Sequence, residues 1–278
     1  MRILLITDSH LANGAPELVA NWRAASRYAE RSAVDLTIHL GDISFDAINR
    51  EAQLREAKAL VDAWPTPMRL IPGNHDIGDN PGTRDVPARE WLTAASRARY
   101  LATFGEDRWA IDAEGWRLIA FDAQLFGSGT AEEDEQWEWI NSEFHNAAGK
   151  PVIVLLHKPL FENPLTDRDH HMRYVPLAAR DRLLALIATA DVRLVLCGHA
   201  HQYLDRTIDG VRHVWLPSCA FIIPDPHQKR FGEKIVGVGV LELERDGGRD
   251  GCGYGLDVVA ADGLVAHDIT QLRGLMNV

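Results

Sequence analysis

Continuous apolar runs, each closed by turn residues and followed by polar side chains, dominate the hydrophobic pattern of this chain. The five runs lie at residues 2–7, 35–40, 68–71, 152–156 and 192–197. Apolar runs of this length are typical of strands that are buried on both faces of a sheet. An aspartate, asparagine or histidine follows each run within a few residues. Because open α/β sheets bind ligands at the carboxyl ends of their strands, the pattern predicts one polar site there.

Amphipathic segments between the runs predict helices. In residues 16–33 and 49–64, apolar side chains recur at three- and four-residue spacing, as on the buried face of a helix. Asn49 is suitably placed to cap the second helix. The resulting β-α-β-α-β order favours parallel strands with right-handed connections. Further helices are expected at residues 87–104, 132–148 and 174–190.

Two further stretches of the chain are expected to form successive strands, a hairpin in the middle and the segments after His201. A hairpin is predicted at residues 109–112 and 117–121, joined through Glu114 and Gly115. Later strands are expected at residues 211–216, 234–244, 256–260 and 264–269. Since no repeat or low-complexity linker interrupts the sequence, residues 1–278 are expected to form a single domain with two packed β-sheets flanked by helices.

Composition excludes some classes of protein. Apolar residues make up 46% and charged residues 25%, as in a soluble globular protein with a large core. The formal net charge of −11 argues against broad binding of nucleic acid. No apolar run approaches the roughly 18 residues of a membrane span, and the first strand begins too early for a signal peptide. With no CxxC pair among Cys197, Cys219 and Cys252, a cytoplasmic protein with reduced thiols is expected.

Seven polar residues near the predicted strand ends have side chains that commonly bind metals. They are Asp8, His10, Asp42, Asn74, His157, His199 and His201. A catalytic zinc with an open position takes about three protein ligands, so seven favour two metal ions that share a bridging carboxylate. Oxygen and nitrogen ligands without thiolate favour Fe, Mn, Zn or Co. In Asp8-Ser9-His10 and His199-Ala200-His201, extended backbone is expected to direct both ligands to one side.

Two cations about 3.5–4 Å apart hold a water between them, lower its pKa and stabilise charge on a phosphate group. Such a pair predicts hydrolysis of phosphate esters by attack of a metal-bridging hydroxide. Taken singly, a strand-end aspartate is more often a helix cap, and a lone histidine is more often a satisfied polar group. The prediction therefore depends on all seven side chains meeting in one place.

These segments together resemble the motifs of the calcineurin-like metallophosphoesterase superfamily. The matching residues are Asp8-Ser9-His10, Gly41-Asp42, Gly73-Asn74-His75-Asp76, His157 and Gly198-His199-Ala200-His201. The resemblance implies an α/β fold, a four-layer αββα sandwich of two mixed β-sheets flanked by helices, with a dinuclear metal centre.

The same resemblance implies a role for each site residue. One metal would take Asp8, His10, Asp42 and His201. The other would take Asp42 as the bridge, together with Asn74, His157 and His199. His75 would not bind metal but would contact the phosphate or protonate the leaving oxygen, with Asp76 orienting it.

The length of the chain and its direct start on the first strand resemble bacterial class III cyclic-nucleotide phosphodiesterases and glycerophosphodiesterases. We therefore expect a small phosphodiester substrate. A phosphomonoesterase or phosphoprotein phosphatase of the same superfamily is the alternative, and a non-catalytic binding module is a third. Residues 77–86, 161–175 and 217–232 match no substrate pattern, and the 217–232 segment is expected to lie on the substrate side. Hydrophobic β-segments near the C-terminus are candidates for a homodimer interface.

Overall fold

The computed structural model describes residues 1–84, 86–163, 171–245 and 253–272. Asp85, residues 164–170 of the predicted 161–175 loop, and Cys252 lie outside the described residues. None of the described helices has both the length and the apolar composition that a bilayer span requires.

The described part of the chain contains six α-helices, thirteen β-strands and three short 3₁₀ helices. The helices are α1 (Pro16–Arg31), α2 (Ala52–Asp62), α3 (Asn74–Ile77), α4 (Ala94–Phe104), α5 (Ala131–Asn146) and α6 (Leu177–Ile187). The strands are β1 (Arg2–Ile6), β2 (Leu36–His39), β3 (Met68–Leu70), β4 (Trp109–Ala113), β5 (Trp116–Ala120), β6 (Val152–Leu155), β7 (Val192–Cys197), β8 (Leu204–Ile208), β9 (Val211–Trp215), β10 (Phe221–Ile222), β11 (Val238–Leu243), β12 (Tyr254–Val259) and β13 (His267–Asp268).

Both large sheets are mixed. The first has five strands in the order β12-β11-β1-β2-β3, and the second has six in the order β4-β5-β6-β7-β9-β8. Strands β1, β2 and β3 are parallel to one another, as are β5, β6, β7 and β9. The antiparallel neighbours lie toward the edges. The short strands β10 and β13 form a separate parallel pair.

Four layers follow from the way the apolar side chains divide. Ile3 and Ile38 of the first sheet pack with Ile153 and Leu194 of the second in one core between the sheets. The opposite face of the first sheet packs against α1 and α2, and the opposite face of the second packs against α5 and α6. The predicted αββα sandwich is confirmed.

Some predicted boundaries are wrong. The second helix begins at Ala52, and the side chain of Asn49 donates to Asp46 instead of capping the helix. The helix expected at 87–104 is broken into a short 3₁₀ turn and α4, because the hydroxyl of Thr93 accepts a hydrogen bond from the Ser96 amide and starts a new helix. The last predicted strand shortens to β13, and β8 was not predicted.

Candidate metal centre

The structure brings the seven predicted ligands together where the carboxyl ends of strands from both sheets meet. The first group is formed by three side chains that follow β1 and β7. Nε2 of His10 lies 3.1 Å from Nε2 of His201. Oδ1 of Asp8 lies 3.3 Å from Nε2 of His201 and 3.9 Å from Nε2 of His10. Three donor atoms therefore face one small volume.

A second group lies beside the first. Nε2 of His157 lies 3.2 Å from Oδ1 of Asn74 and 3.2 Å from Nδ1 of His199. The three side chains follow strands β6, β3 and β7, so this group joins the two sheets. Both groups draw a ligand from the Gly198–His201 turn after β7.

Asp42 lies between the two groups. Its Oδ2 atom is 3.7 Å from Nε2 of His10 and 3.3 Å from Nε2 of His157. Its Oδ1 atom is engaged differently, since it accepts a hydrogen bond of 2.9 Å from the His75 amide. One carboxylate oxygen is thus directed to both groups while the other fixes the backbone of the neighbouring loop.

The expectation of extended backbone at the paired ligands is wrong. Left-handed φ values occur at five of the seven candidate ligands: Asp8 (53°), His10 (47°), Asp42 (55°), His199 (65°) and His201 (52°). Non-glycine residues rarely adopt this conformation, which is concentrated at functional sites where the surrounding structure holds the strain. Tight left-handed turns, and not the alternation of a strand, direct these side chains inward.

Two glycines permit the close approach of the ligand loops. A Cβ atom on Gly73 would lie 2.1 Å from Oδ1 of Asp42. A Cβ atom on Gly198 would lie 1.9 Å from Oγ1 of Thr7 and 2.6 Å from Oδ2 of Asp8. Neither position has room for a side chain, because real Cβ atoms do not approach other atoms this closely.

Backbone carbonyls determine the tautomers of two candidate ligands. Nδ1 of His157 is 2.8 Å from the Leu40 carbonyl, and Nδ1 of His201 is 3.2 Å from the Phe221 carbonyl. Because a carbonyl only accepts hydrogen bonds, each Nδ1 carries a proton, and Nε2 is the atom that offers a lone pair to the site when the ring is neutral. Partners of this kind commonly orient histidines that bind metals.

The site concentrates buried charge. Burial alone would raise the pKa of Asp8, but the imidazoles of His201 and His157 outweigh it and hold that pKa below its ordinary value. Burial also acts to raise the pKa of Asp42, but His157 and His75 outweigh it and hold that pKa well below its ordinary value. Burial lowers the pKa of His157, yet Asp42 and Asp8 raise it to about 9. Two buried carboxylates therefore create a strong demand for positive charge.

The donor set fits two metal ions. Ligand atoms held about 2.1 Å from one ion lie roughly 3.0–3.4 Å from one another. The closest separations within the two groups, 3.1–3.3 Å, match that spacing. The ligand types, carboxylate, amide and imidazole without thiolate, suit Fe, Mn, Zn or Co. The residues present can therefore hold the predicted dinuclear centre.

His75 and Asp76 lie beside the site in different surroundings. Nδ1 of His75 donates to the Phe45 carbonyl over 2.5 Å, and the ring centroid lies 4.7 Å from that of His10. Burial lowers the pKa of His75, but Asp42 and the Phe45 carbonyl outweigh it and raise that pKa above its ordinary value.

The carboxylate of Asp76 binds backbone amides and a hydroxyl instead of the His75 ring. It accepts hydrogen bonds from the amides of Ile43, Ser44 and Gly73 and from the Ser44 hydroxyl. The family resemblance implied that Asp76 orients His75. The Asp76 carboxylate makes no direct hydrogen bond to the His75 ring. Its connection runs through residues 43–45, which end at the carbonyl that accepts from His75.

Sequence reasoning missed several residues that support the ligands. Thr7 donates its hydroxyl to Oδ2 of Asp8 over 2.6 Å, and Ser218 donates to the Asp8 carbonyl over 2.8 Å. The side chain of Gln202 bonds residues 228–232 and ties them to the Gly198–His201 turn. Thr7 and Gln202 adjoin the ligand motifs in sequence, which is the only signal that could have identified them.

The predicted substrate-side loops border the site. Within the 217–232 segment, the ring of Phe221 lies 4.5 Å from the ring of His201 and 4.9 Å from that of His10, measured between centroids. A cavity of about 160 Å³ opens beside Asn74 and His75. Its other walls include Asp46, Asn49, Asp79, Val86, Glu90 and Met172. Parts of the 77–86 and 161–175 segments therefore line the same space.

Comparisons with known proteins agree with this geometry. Residues 1–203 match the family model described as calcineurin-like phosphoesterase. The chain is 27% identical over 259 residues to the 3',5'-cyclic adenosine monophosphate phosphodiesterase CpdA of Escherichia coli (strain K12), covering 89% of this chain and 86% of that protein. It is 28% identical over 203 residues to the glycerophosphodiester phosphodiesterase GpdQ of Enterobacter lignolyticus (strain SCF1), covering 67% of this chain and 64% of that protein.

Among solved structures, the purple acid phosphatase PPD1 from yellow lupin (Lupinus luteus) seeds is similar, with a TM-score of 0.70 at 16% identity. The match covers 96% of this chain and 52% of that chain, so this protein spans about half of the plant enzyme. At this level of identity the likeness concerns the fold alone.

Proposed function

Since this chain belongs to the calcineurin-like phosphoesterase family and is a phosphoric ester hydrolase, we propose that it hydrolyses small phosphodiesters with two metal ions. The substrate class follows the two relatives named for cyclic AMP and glycerophosphodiesters, which cover most of the chain. Both are phosphodiesters, and in cyclic AMP the leaving oxygen is a ribose hydroxyl that stays attached to the product.

The position of Asp42 carries the proposal. Its Oδ2 atom is within 3.7 Å of a donor in each of the two ligand groups, as a carboxylate shared by two ions requires. Asp8, His10 and His201 would complete one site, and Asn74, His157 and His199 the other. When bound, the ions would supply an activated water and stabilise the charge that develops on the phosphate.

The residues around the ions would orient the ester. His75 holds its Nδ1 proton on the Phe45 carbonyl, so the imidazolium form, which its raised pKa favours, would donate its Nε2 proton to the leaving oxygen. The cavity of about 160 Å³ beside His75 would receive the group that carries this oxygen.

A comparison of diester and monoester hydrolysis tests this function. The full chain is loaded with Mn²⁺ or Fe²⁺, its metal content is measured by elemental analysis, and kcat/KM is determined for bis-p-nitrophenyl phosphate and p-nitrophenyl phosphate. Cyclic AMP and a glycerophosphodiester are then assayed as natural esters. We expect about two metals per chain and a higher kcat/KM for the diester.

Each of the other functions predicts a different result. A higher kcat/KM for p-nitrophenyl phosphate would identify a phosphomonoesterase. Absence of turnover by protein that carries two metals would leave a binding module. We do not expect this absence of turnover, because all seven candidate ligands are present in this chain.

A further inference from the structure

Lys158, which directly follows His157, is fully buried at the candidate metal centre. Its ammonium donates to a carboxylate oxygen of Asp79 and, over 2.7 Å, to Oδ1 of Asn80. Lysine is almost never fully buried without such partners, because its charge loses the stabilisation that water provides. The ammonium is therefore held at a defined point beside the strand end that carries His157.

The partners of Lys158 belong to the segment that carries Asn74. Asp79 lies five residues after Asn74, just beyond α3, and its backbone is fixed by hydrogen bonds to Glu90 and Leu92. Asn80 is also anchored, since its side-chain Nδ2 donates to the carbonyls of Ala123 and Phe126. Lys158 thus joins the segment that carries His157 to the segment that carries Asn74, and both of these residues belong to the second ligand group.

The connection has a direct geometric consequence. Nε2 of His157 and Oδ1 of Asn74 are 3.2 Å apart, although 82 residues separate them in the sequence. The Lys158–Asp79 pair, beside the Lys158–Asn80 bond, ties the segment that follows His157 to the segment that follows Asn74. Its length therefore bears on the separation of the two donor atoms.

We propose that Lys158 is a positioning residue, whose ion pair with Asp79 holds Asn74 and His157 at the spacing that the second metal ion requires. The proposal rests on the dinuclear function proposed above. Stability alone is a weak reason for such a pair, because replacing both partners of a buried ion pair by apolar residues is often neutral or stabilising. Metal affinity and stability should therefore respond differently to substitution.

Titration of the metal-stripped full chain with Mn²⁺, followed by calorimetry, tests the role. Wild-type protein is expected to bind two equivalents. We call binding at the group of Asn74, His157 and His199 the second event, whichever equivalent it takes in the titration. In Lys158→Met, we expect this event to weaken at least about tenfold while the other is unchanged, as is usual when a partner behind a metal ligand is lost. Asp79→Asn should weaken the same event, because it leaves the ammonium beside the site without its carboxylate.

Lys150→Met is the matched control. Lys150 precedes β6 as Lys158 follows it, and its ammonium lies 2.8 Å from Oδ2 of Asp112 in an exposed pair. This variant should leave both binding events unchanged. The double variant Lys158→Met with Asp79→Leu separates position from stability: thermal unfolding of the metal-free protein should recover toward wild type, while the second Mn²⁺ affinity stays reduced.

The outcomes distinguish the two proposals. A wild-type chain that binds one equivalent contradicts the dinuclear function and this role with it. Two equivalents in wild type, with an unchanged or tighter second event in Lys158→Met, overturn the positioning role alone. If Lys158→Met does not fold, Asp79→Asn and the double variant decide, and an unchanged second event in either one overturns the role.

Discussion

Oδ2 of Asp42 lies 3.3 Å from Nε2 of His157, and the same oxygen is 3.7 Å from Nε2 of His10. These distances make Asp42 the one described side chain shared by both ligand groups. Its other oxygen is bonded to the His75 amide. The residue therefore connects the two proposed metal sites with the residue proposed to serve the leaving group.

Replacing the shared carboxylate is expected to affect both metals together. In Asp42→Asn, kcat/KM for bis-p-nitrophenyl phosphate should fall more than about 10²-fold, because an amide is neutral and binds both ions more weakly. Elemental analysis should show reduced metal content. Asp62→Asn, in an exposed pair with Lys58, is the control. A near-normal rate with full metal content in Asp42→Asn would show that Asp42 is not the bridge.

A methyl group at Gly198 should disrupt the first ligand group. In Gly198→Ala the new Cβ would meet Thr7 and the carboxylate of Asp8, so the 198–201 turn or Asp8 must move. We expect a loss of about 1–3 kcal/mol in unfolding free energy and loss of metal. The control, Gly14→Ala, adds a methyl group with nothing within 4 Å. Denaturant unfolding and metal analysis measure both effects, and equal behaviour of the two variants would refute the close approach.

Asp76→Asn should lower kcat while both metals remain bound. The amide nitrogen of asparagine cannot accept hydrogen bonds, so part of the set from Ile43, Ser44 and Gly73 is lost and the carbonyl of Phe45 shifts away from His75. Steady-state kinetics with metal analysis measure the effect. Unchanged kcat would show that His75 is oriented without Asp76.

Asp122 should make stability depend on pH away from the metal centre. Burial, reinforced by Asp107, raises the pKa of Asp122 to about 8, and its Oδ2 has no hydrogen-bond partner in the described structure. With a folded pKa above the unfolded one, its contribution to stability is complete below about pH 4 and is lost as the pH rises toward 8.

Asp122→Asn cannot ionise and should remove this loss. The unfolding free energy of the variant relative to wild type should increase from pH 4 to pH 8 and then level off, as measured by denaturant unfolding across that range. A difference that is constant with pH would mean that Asp122 ionises normally in the folded protein.

The sequence by itself determined the family resemblance, the seven candidate ligands and most of the sandwich. Buried parallel strands require long apolar runs, and their carboxyl ends place polar residues where ligands bind, so local pattern and chemistry coincide. Helix ends were less predictable. Asn49 has the chemistry of a cap, yet it bonds Asp46, and Thr93 divides a continuous helical pattern.

Only the tertiary structure decided how the ligands are held. The left-handed backbone of Asp8 and His199 depends on loops from two sheets pressing together, and sequence spacing alone wrongly predicted an extended chain. Asp76 supports the Phe45 carbonyl, and Lys158 reaches Asp79, through contacts between residues more than 30 positions apart. The physical reason is that side-chain chemistry is local to a residue, whereas its partners are set by how the whole chain packs.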